Sequence, residues 1–162
     1  MKLSKMFKKE TKTLLYAPIE GKVVPIEEVP DEVFSQKMMG DGIAIIPSSG
    51  KVVAPADCKV EKVFETKHAI ALTTDDGLEL LIHVGIDTVG MKGDGFHVSV
   101  RDGQKLKAGE ELMEFDIEKI QAANLNPITP VLILNPENAG TIQKSYAANA
   151  LPAVTEVLAI KN

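Results

Sequence analysis

The chain has 162 residues, 44% of them hydrophobic and only 4% aromatic, with a formal charge of −5. That length holds one domain, or one domain with a tail, and it buries a core without covalent staples. The acidic balance and the lack of Trp argue against a nucleic-acid surface, no apolar run approaches the roughly 20 residues of a membrane span, and the single cysteine, Cys58, rules out an intramolecular disulfide.

Charge is uneven along the chain. Residues 1–12 carry five lysines and one acid, Glu10, which leaves the remainder near −9. Leu3, Met6 and Phe7 share a helical face that would suit anionic lipid. Twelve residues seldom hold a helix alone, so 1–12 is expected to be a flexible basic arm on a domain spanning 13–162. With no apolar signal region at the start, the chain is expected in the cytoplasm, with membranes met only peripherally.

From Thr13 onward, short β-type runs alternate with Gly and Pro. Strands are expected at 14–17, 21–28, 42–46, 51–54, 59–65, 68–74, 78–84, 96–100, 111–115, 131–134, 141–144 and 154–160. Asp116–Asn124 reads as a helix with Asp116 as its N-cap, and a second short helix fits Pro30–Met38. The class is therefore all-β, an antiparallel sandwich or barrel-sandwich of short strands with one or two short helices. Ala17-Pro-Ile-Glu-Gly-Lys-Val23 is echoed by Ala54-Pro-Ala-Asp-Cys-Lys-Val60, which points to two related β-units. Asp102-Gly103 through Leu112 resembles an element of biotinyl and lipoyl carrier domains.

The run Leu78–Val84 carries the chemistry. Alternation puts Leu78, Leu80, Ile82 and Val84 on one aliphatic face, and Glu79, Leu81 and His83 on the other. A two- or four-residue turn centred between Asp75 and Asp76 would set His68 opposite His83, Ile70 opposite Leu81 and Thr66 opposite Gly85. A three-residue turn would shift that register by one and spoil the arrangement, so the two- or four-residue turn is expected.

Gly77-Leu-Glu-Leu-Leu-Ile-His83-Val-Gly85-Ile-Asp87-Thr-Val89 resembles the phosphorylation-site signature of the glucose-type IIA proteins of the bacterial sugar phosphotransferase system. Phe64-Glu-Thr66-Lys-His68-Ala69 resembles that family's second-histidine segment, and blocks at 31–34, 40–45, 92–96 and 126–131 are similar in order and spacing. The resemblance implies a β barrel-sandwich that takes a phosphoryl group from the small phosphocarrier protein HPr onto Nε2 of His83. It implies delivery to the cysteine of a IIB domain of a sugar permease. His68 would support the phosphoryl group without carrying it, Thr66 would bond His68 or the phosphate, and the Gly85 carbonyl would hold the Nδ1 proton of His83. Regulatory protein targets are a further implied class of partner.

The residue types suit such a relay. A neutral imidazole needs no base to free a lone pair, and fixing one nitrogen selects the other. Gly85 leaves the ring uncrowded. Val33, Phe34, Met38, Met39, Phe64 and Leu81 are expected as an apolar collar for partner proteins, with Asp31, Glu32, Asp87 and Asp94 at its rim. His97 is expected as an ordinary surface residue. No cofactor is required, although two facing imidazoles give half a tetrahedral zinc site, which a partner's carboxylate would complete. One rival is a zinc peptidase using His83-x-x-x-Asp87, though the chain lacks an H-x-H element. Another is a biotinyl or lipoyl carrier, for which Met91-Lys92-Gly93 is the nearest lysine context.

Overall fold

The computed structural model describes residues 11–161. The alternating segments form β1 (Thr11–Tyr16), β2 (Gly21–Pro25), β3 (Asp41–Pro47), β4 (Lys51–Val53), β5 (Cys58–Val63), β6 (Ala69–Thr74) and β7 (Glu79–His83). They are followed by β8 (Phe96–Val98), β9 (Lys105–Leu106), β10 (Glu111–Phe115), β11 (Thr129–Ile133), β12 (Thr141–Lys144) and β13 (Glu156–Lys161). Helices cover Glu32–Ser35 and Ile117–Ala122, each N-capped by an aspartate: the Asp31 side chain accepts from Val33 N–H, and the Asp116 side chain from Lys119 N–H. Among the described residues no helix is long and apolar enough to cross a membrane.

The strands make one seven-stranded sheet, β2-β3-β11-β7-β6-β5-β9, and two three-stranded sheets, β4-β10-β8 and β1-β13-β12. Adjacent strands run antiparallel. The inner face of the large sheet supplies Ile43, Ile70, Leu80, Ile82 and Val131 to a core completed by Leu112, Met113, Leu158 and Ile160 of the small sheets. A second cluster lies on the outer face, where Val24, Ala44, Ala69, Leu81 and Leu132 meet Ile26, Val29 and Phe34 from the segment between β2 and β3. The two A-P segments touch: Tyr16 N–H donates to Pro55 O at 2.9 Å and Val53 N–H to Pro18 O at 2.8 Å. The otherwise open edge of β2 is covered by the segment before β13, through Gly21–Ala150 bonds in both directions and Val23 N–H to Ala147 O.

Three expectations are corrected. The arm expected at 1–12 overlaps β1, because Thr11 already pairs with Lys161; residues 1–10 lie outside the described residues. The strand expected at 21–28 ends at Pro25, where the chain turns into a 3-10 turn over Ile26–Glu28. The β6–β7 register is one residue from that expected: Ala69, not His68, pairs with His83, and Ala71 with Leu81. The turn has three residues between Thr74 and Leu78. It is closed by Thr74 N–H to Leu78 O at 2.9 Å and by the Thr74 hydroxyl accepting from Leu78 N–H at 2.9 Å, with Gly77 at φ +97.

Candidate functional site

The two imidazoles meet despite the shifted register. His83 is the last residue of β7, on the outer face with Leu81. His68 sits in the bend before β6, outside strand alternation, because Lys67 takes a left-handed conformation (φ +62). Phe64 N–H to Ala69 O at 3.0 Å and Lys67 N–H to Phe64 O at 2.8 Å close that bend. Val84 N–H donates to the His68 carbonyl at 2.7 Å and joins the two histidine segments. The ring centroids lie 4.8 Å apart with planes at 84°.

Each ring is held through Nδ1. The Gly85 carbonyl lies 2.8 Å from Nδ1 of His83. A carbonyl only accepts, so that nitrogen bears the proton and Nε2 keeps a lone pair. Thr66 Oγ1 lies 2.7 Å from Nδ1 of His68. Phe34 packs on His83 at 4.9 Å between centroids, and Phe64 packs edge-on against His68 at 5.7 Å. His68 is buried, whereas His83 is part-exposed.

Electrostatics keep both rings neutral near pH 7. Burial pushes the His68 pKa down to about 4, and the neighbouring His83 adds to the shift. Burial also lowers the His83 pKa, against the Gly85 carbonyl and the charges of Asp31 and Asp87, which pull it upward.

Gly85 is required by its surroundings. Its φ is +74, and a Cβ there would lie 2.5 Å from Thr88 Cγ2. Thr88, whose hydroxyl donates to the Val84 carbonyl, and Asn126, whose carbonyl accepts from Ile86 N–H at 2.9 Å, brace this loop. Neither was singled out for such a part from the sequence, where nothing local distinguishes a bracing threonine from a turn residue.

The expected collar divides. Val33 and Met39 are each 40% exposed and Met38 70%, and Phe64 is part-buried. Phe34 and Leu81 are buried at 5% and 2%, which corrects their assignment as contact surface: they form wall and floor. Val89, 54% exposed in the loop after His83, is a large apolar residue the sequence reading passed over. At the rim, Asp31 is committed to its N-cap, and Asp87 occupies a left-handed position with no side-chain cap. Asp94 is paired with Lys119 at 2.9 Å. His97 is exposed on β8 beside Glu114 of β10, in a different sheet.

The rival sites are not assembled. Among the described residues no three of His, Cys, Asp and Glu stand as a metal-binding group. Lys92 ends the 3-10 turn Thr88–Met91 rather than tipping a hairpin.

A part-exposed imidazole at a strand end, with one nitrogen tied off and a second imidazole against it, leaves Nε2 open to act as a nucleophile. The family model for the phosphoenolpyruvate-dependent sugar phosphotransferase system, EIIA 1, matches residues 13–139. The chain is 41% identical over 161 residues to the PTS system glucose-specific EIIA component of Oceanobacillus iheyensis, covering 99% of this chain and 98% of that protein. It is 44% identical over 148 residues to the protein of the same name from Halalkalibacterium halodurans, covering 91% and 86%. The fold matches the glucose permease IIA from Mycoplasma capricolum with a TM-score of 0.84 at 31% identity, over 95% of this chain and 97% of that one. The chain belongs to the EIIA 1 family of the sugar phosphotransferase system.

Proposed function

We propose that His83 is the phosphoacceptor of this phosphotransferase component, taking a phosphoryl group from HPr on Nε2 and passing it to the cysteine of a IIB domain. The observation that carries this reading is the bond from Nδ1 of His83 to the Gly85 carbonyl, beside the His68 ring. The lone pair of Nε2 attacks phosphorus in line while the bond from phosphorus to the donor breaks. No proton leaves Nε2, and the Nδ1 proton stays on the ring, donated to the Gly85 carbonyl, so the positive charge developing on the ring is shared with a carbonyl. In the second step the thiolate of the acceptor attacks phosphorus, and the N–P electron pair returns to Nε2.

His68 contributes through its other nitrogen. When the Thr66 hydroxyl donates to Nδ1, Nε2–H of His68 becomes a donor to a phosphoryl oxygen. One neutral donor steadies the group without the grip of a lysine or arginine, which suits a carrier that must release it. Val33, Met38, Met39 and Val89 are the exposed apolar surface onto which partner proteins would close and exclude water. Such chemistry belongs in the cytoplasm, with glucose the sugar named for the relatives. A zinc ion at His68 and His83 would need a partner's carboxylate, and no step depends on it.

The test is incubation with phosphoenolpyruvate, enzyme I and HPr, followed by transfer to a IIB domain. His83→Ala should take no phosphoryl group. His68→Ala should be phosphorylated and fail to pass it on. Acid-labile labelling retained in His83→Ala would overturn the reading.

A further inference from the structure

The loop that supplies the acceptor for His83 is held from two sides. Gly85, at φ +74, has no Cβ to confine its torsions, so its carbonyl is not self-orienting. The peptide plane after Gly85 is pinned by Ile86 N–H donating to the Asn126 carbonyl at 2.9 Å. That plane carries the oxygen to which Nδ1 of His83 donates. The plane before Gly85 carries the Val84 carbonyl, which accepts from the Thr88 hydroxyl. Thr88 is fully buried, and its methyl group lies over Gly85. A side chain needed only for volume would be met by valine, which avoids the cost of burying a hydroxyl. Here the hydroxyl is both buried and used.

We propose that Thr88 is a positioning residue for the phosphoacceptor. By holding the plane between Val84 and Gly85, its hydroxyl fixes the point from which the Gly85 carbonyl leaves the chain, while the Ile86–Asn126 bond fixes the direction of that carbonyl, and together they keep the proton of His83 on Nδ1 and the lone pair on Nε2. Without the Thr88 bond the plane before Gly85 is free to turn and the Gly85 Cα shifts with it, so that the Asn126 bond alone no longer holds the Gly85 oxygen on Nδ1, and the two neutral tautomers mix. Molecules with the proton on Nε2 present N–H where phosphorus must arrive. The kinetic consequence rests on His83 being the acceptor; the tautomer consequence does not.

The experiment uses the full chain with 15N-labelled histidine and the variants Thr88→Val, Thr88→Ser and Thr88→Cys. Imidazole 15N shifts of His83 at neutral pH report the tautomer, and the rate of phosphoryl uptake from phosphorylated HPr reports the consequence. Thr88→Val should show mixed tautomers and uptake slowed roughly 3- to 10-fold, the factor corresponding to one ordinary hydrogen bond. Thr88→Ser should keep the Nδ1–H tautomer and near-normal uptake. Thr88→Cys, a weaker donor, should fall between them, and it decides the matter if the valine variant does not fold. A single Nδ1–H tautomer in the valine or cysteine variant, or a serine variant shifted as far as valine, overturns the proposal. If wild type takes no phosphoryl group while the valine variant mixes tautomers, the acceptor reading falls and the role of Thr88 stands.

Discussion

On its inner face β7 presents Leu80 and Ile82, and Ile82 lines up across the sheet with Ile70 and Val131. On its outer face the same strand presents Leu81 and His83, whose neighbours are Ala71, Ala69 and Leu132. Gly42 follows beyond Leu132 on that outer row, where a Cβ would lie 2.0 Å from the Val131 carbonyl. Large branched side chains fill one face; on the other, Leu81 and Leu132 alternate with the smaller Ala69, Ala71 and Gly42. The difference teaches where each property of the chain resides. The inner face supplies the main core, while on the outer face the two rings stand between Phe34 and Phe64, with Ala69 paired to His83. The main core and the chemistry occupy opposite sides of one sheet and should be separable by substitution.

The sharpest separation comes from one substitution on each face. Leu80→Ala should cost about 2–5 kcal/mol of unfolding free energy, read by urea denaturation, with phosphoryl uptake by the folded fraction intact. His83→Gln should stop uptake and move the unfolding free energy by no more than about 1 kcal/mol, as expected for a part-exposed side chain. If the leucine variant lost activity faster than fold, the division between faces would be wrong.

His68 is the residue through which the site touches stability. Folded, it takes its proton near pH 4; in the unfolded chain an imidazole takes it near 6.5. Between those values the unfolded state binds more protons, so its contribution is complete above pH 6.5 and is lost as pH falls toward 4. The total is about 3 kcal/mol. Denaturation midpoints measured across that range should show this slope, and His68→Gln should reduce it, leaving the part that the lowered pKa of His83 contributes.

Smaller effects sharpen the contrast at the rim. Asp31→Ala removes an N-cap, at about 1 kcal/mol, and also removes a charge that raises the His83 pKa. Asp31→Asn keeps a capping side chain and removes only the charge. NMR titration should show the His83 pKa lowered further in both, with stability lost mainly in the alanine variant. The smallest effect is expected from Asp87→Lys, which should slow transfer from HPr more at low salt than at high salt. A rate indifferent to both charge and salt would remove Asp87 from the docking rim.

The faces of β7 were legible because period-two alternation across Leu78–Val84 leaves little freedom. Asp116 was legible as a cap because it directly precedes its helix. The pairing of β6 with β7 was legible but its register was not, since Thr74 closes a three-residue turn through its side-chain hydroxyl, and composition does not distinguish that from a two- or four-residue turn. The histidines meet because Lys67 adopts a positive φ, a choice imposed by tertiary packing that a lysine does not advertise. β9 escaped notice because two residues carry no period. Phe34 and Leu81 read as surface because an apolar residue near a site looks the same whether it forms the wall or the contact. Thr88 was hidden for a related reason: its partner is a backbone carbonyl, and the sequence does not show where carbonyls point.

The pairing of β1 with β13 also governs how the chain comes into being. The earliest of the described strands finds its only sheet neighbour in the last, so on the ribosome Leu14 and Leu15 must wait for Leu158 and Ala159 to emerge. Closing a loop of that length delays the final step of assembly. Until β13 is made, the nascent chain holds an unmatched strand, and a polypeptide stopped at residue 139, where the family match ends, would never acquire the middle strand of that sheet.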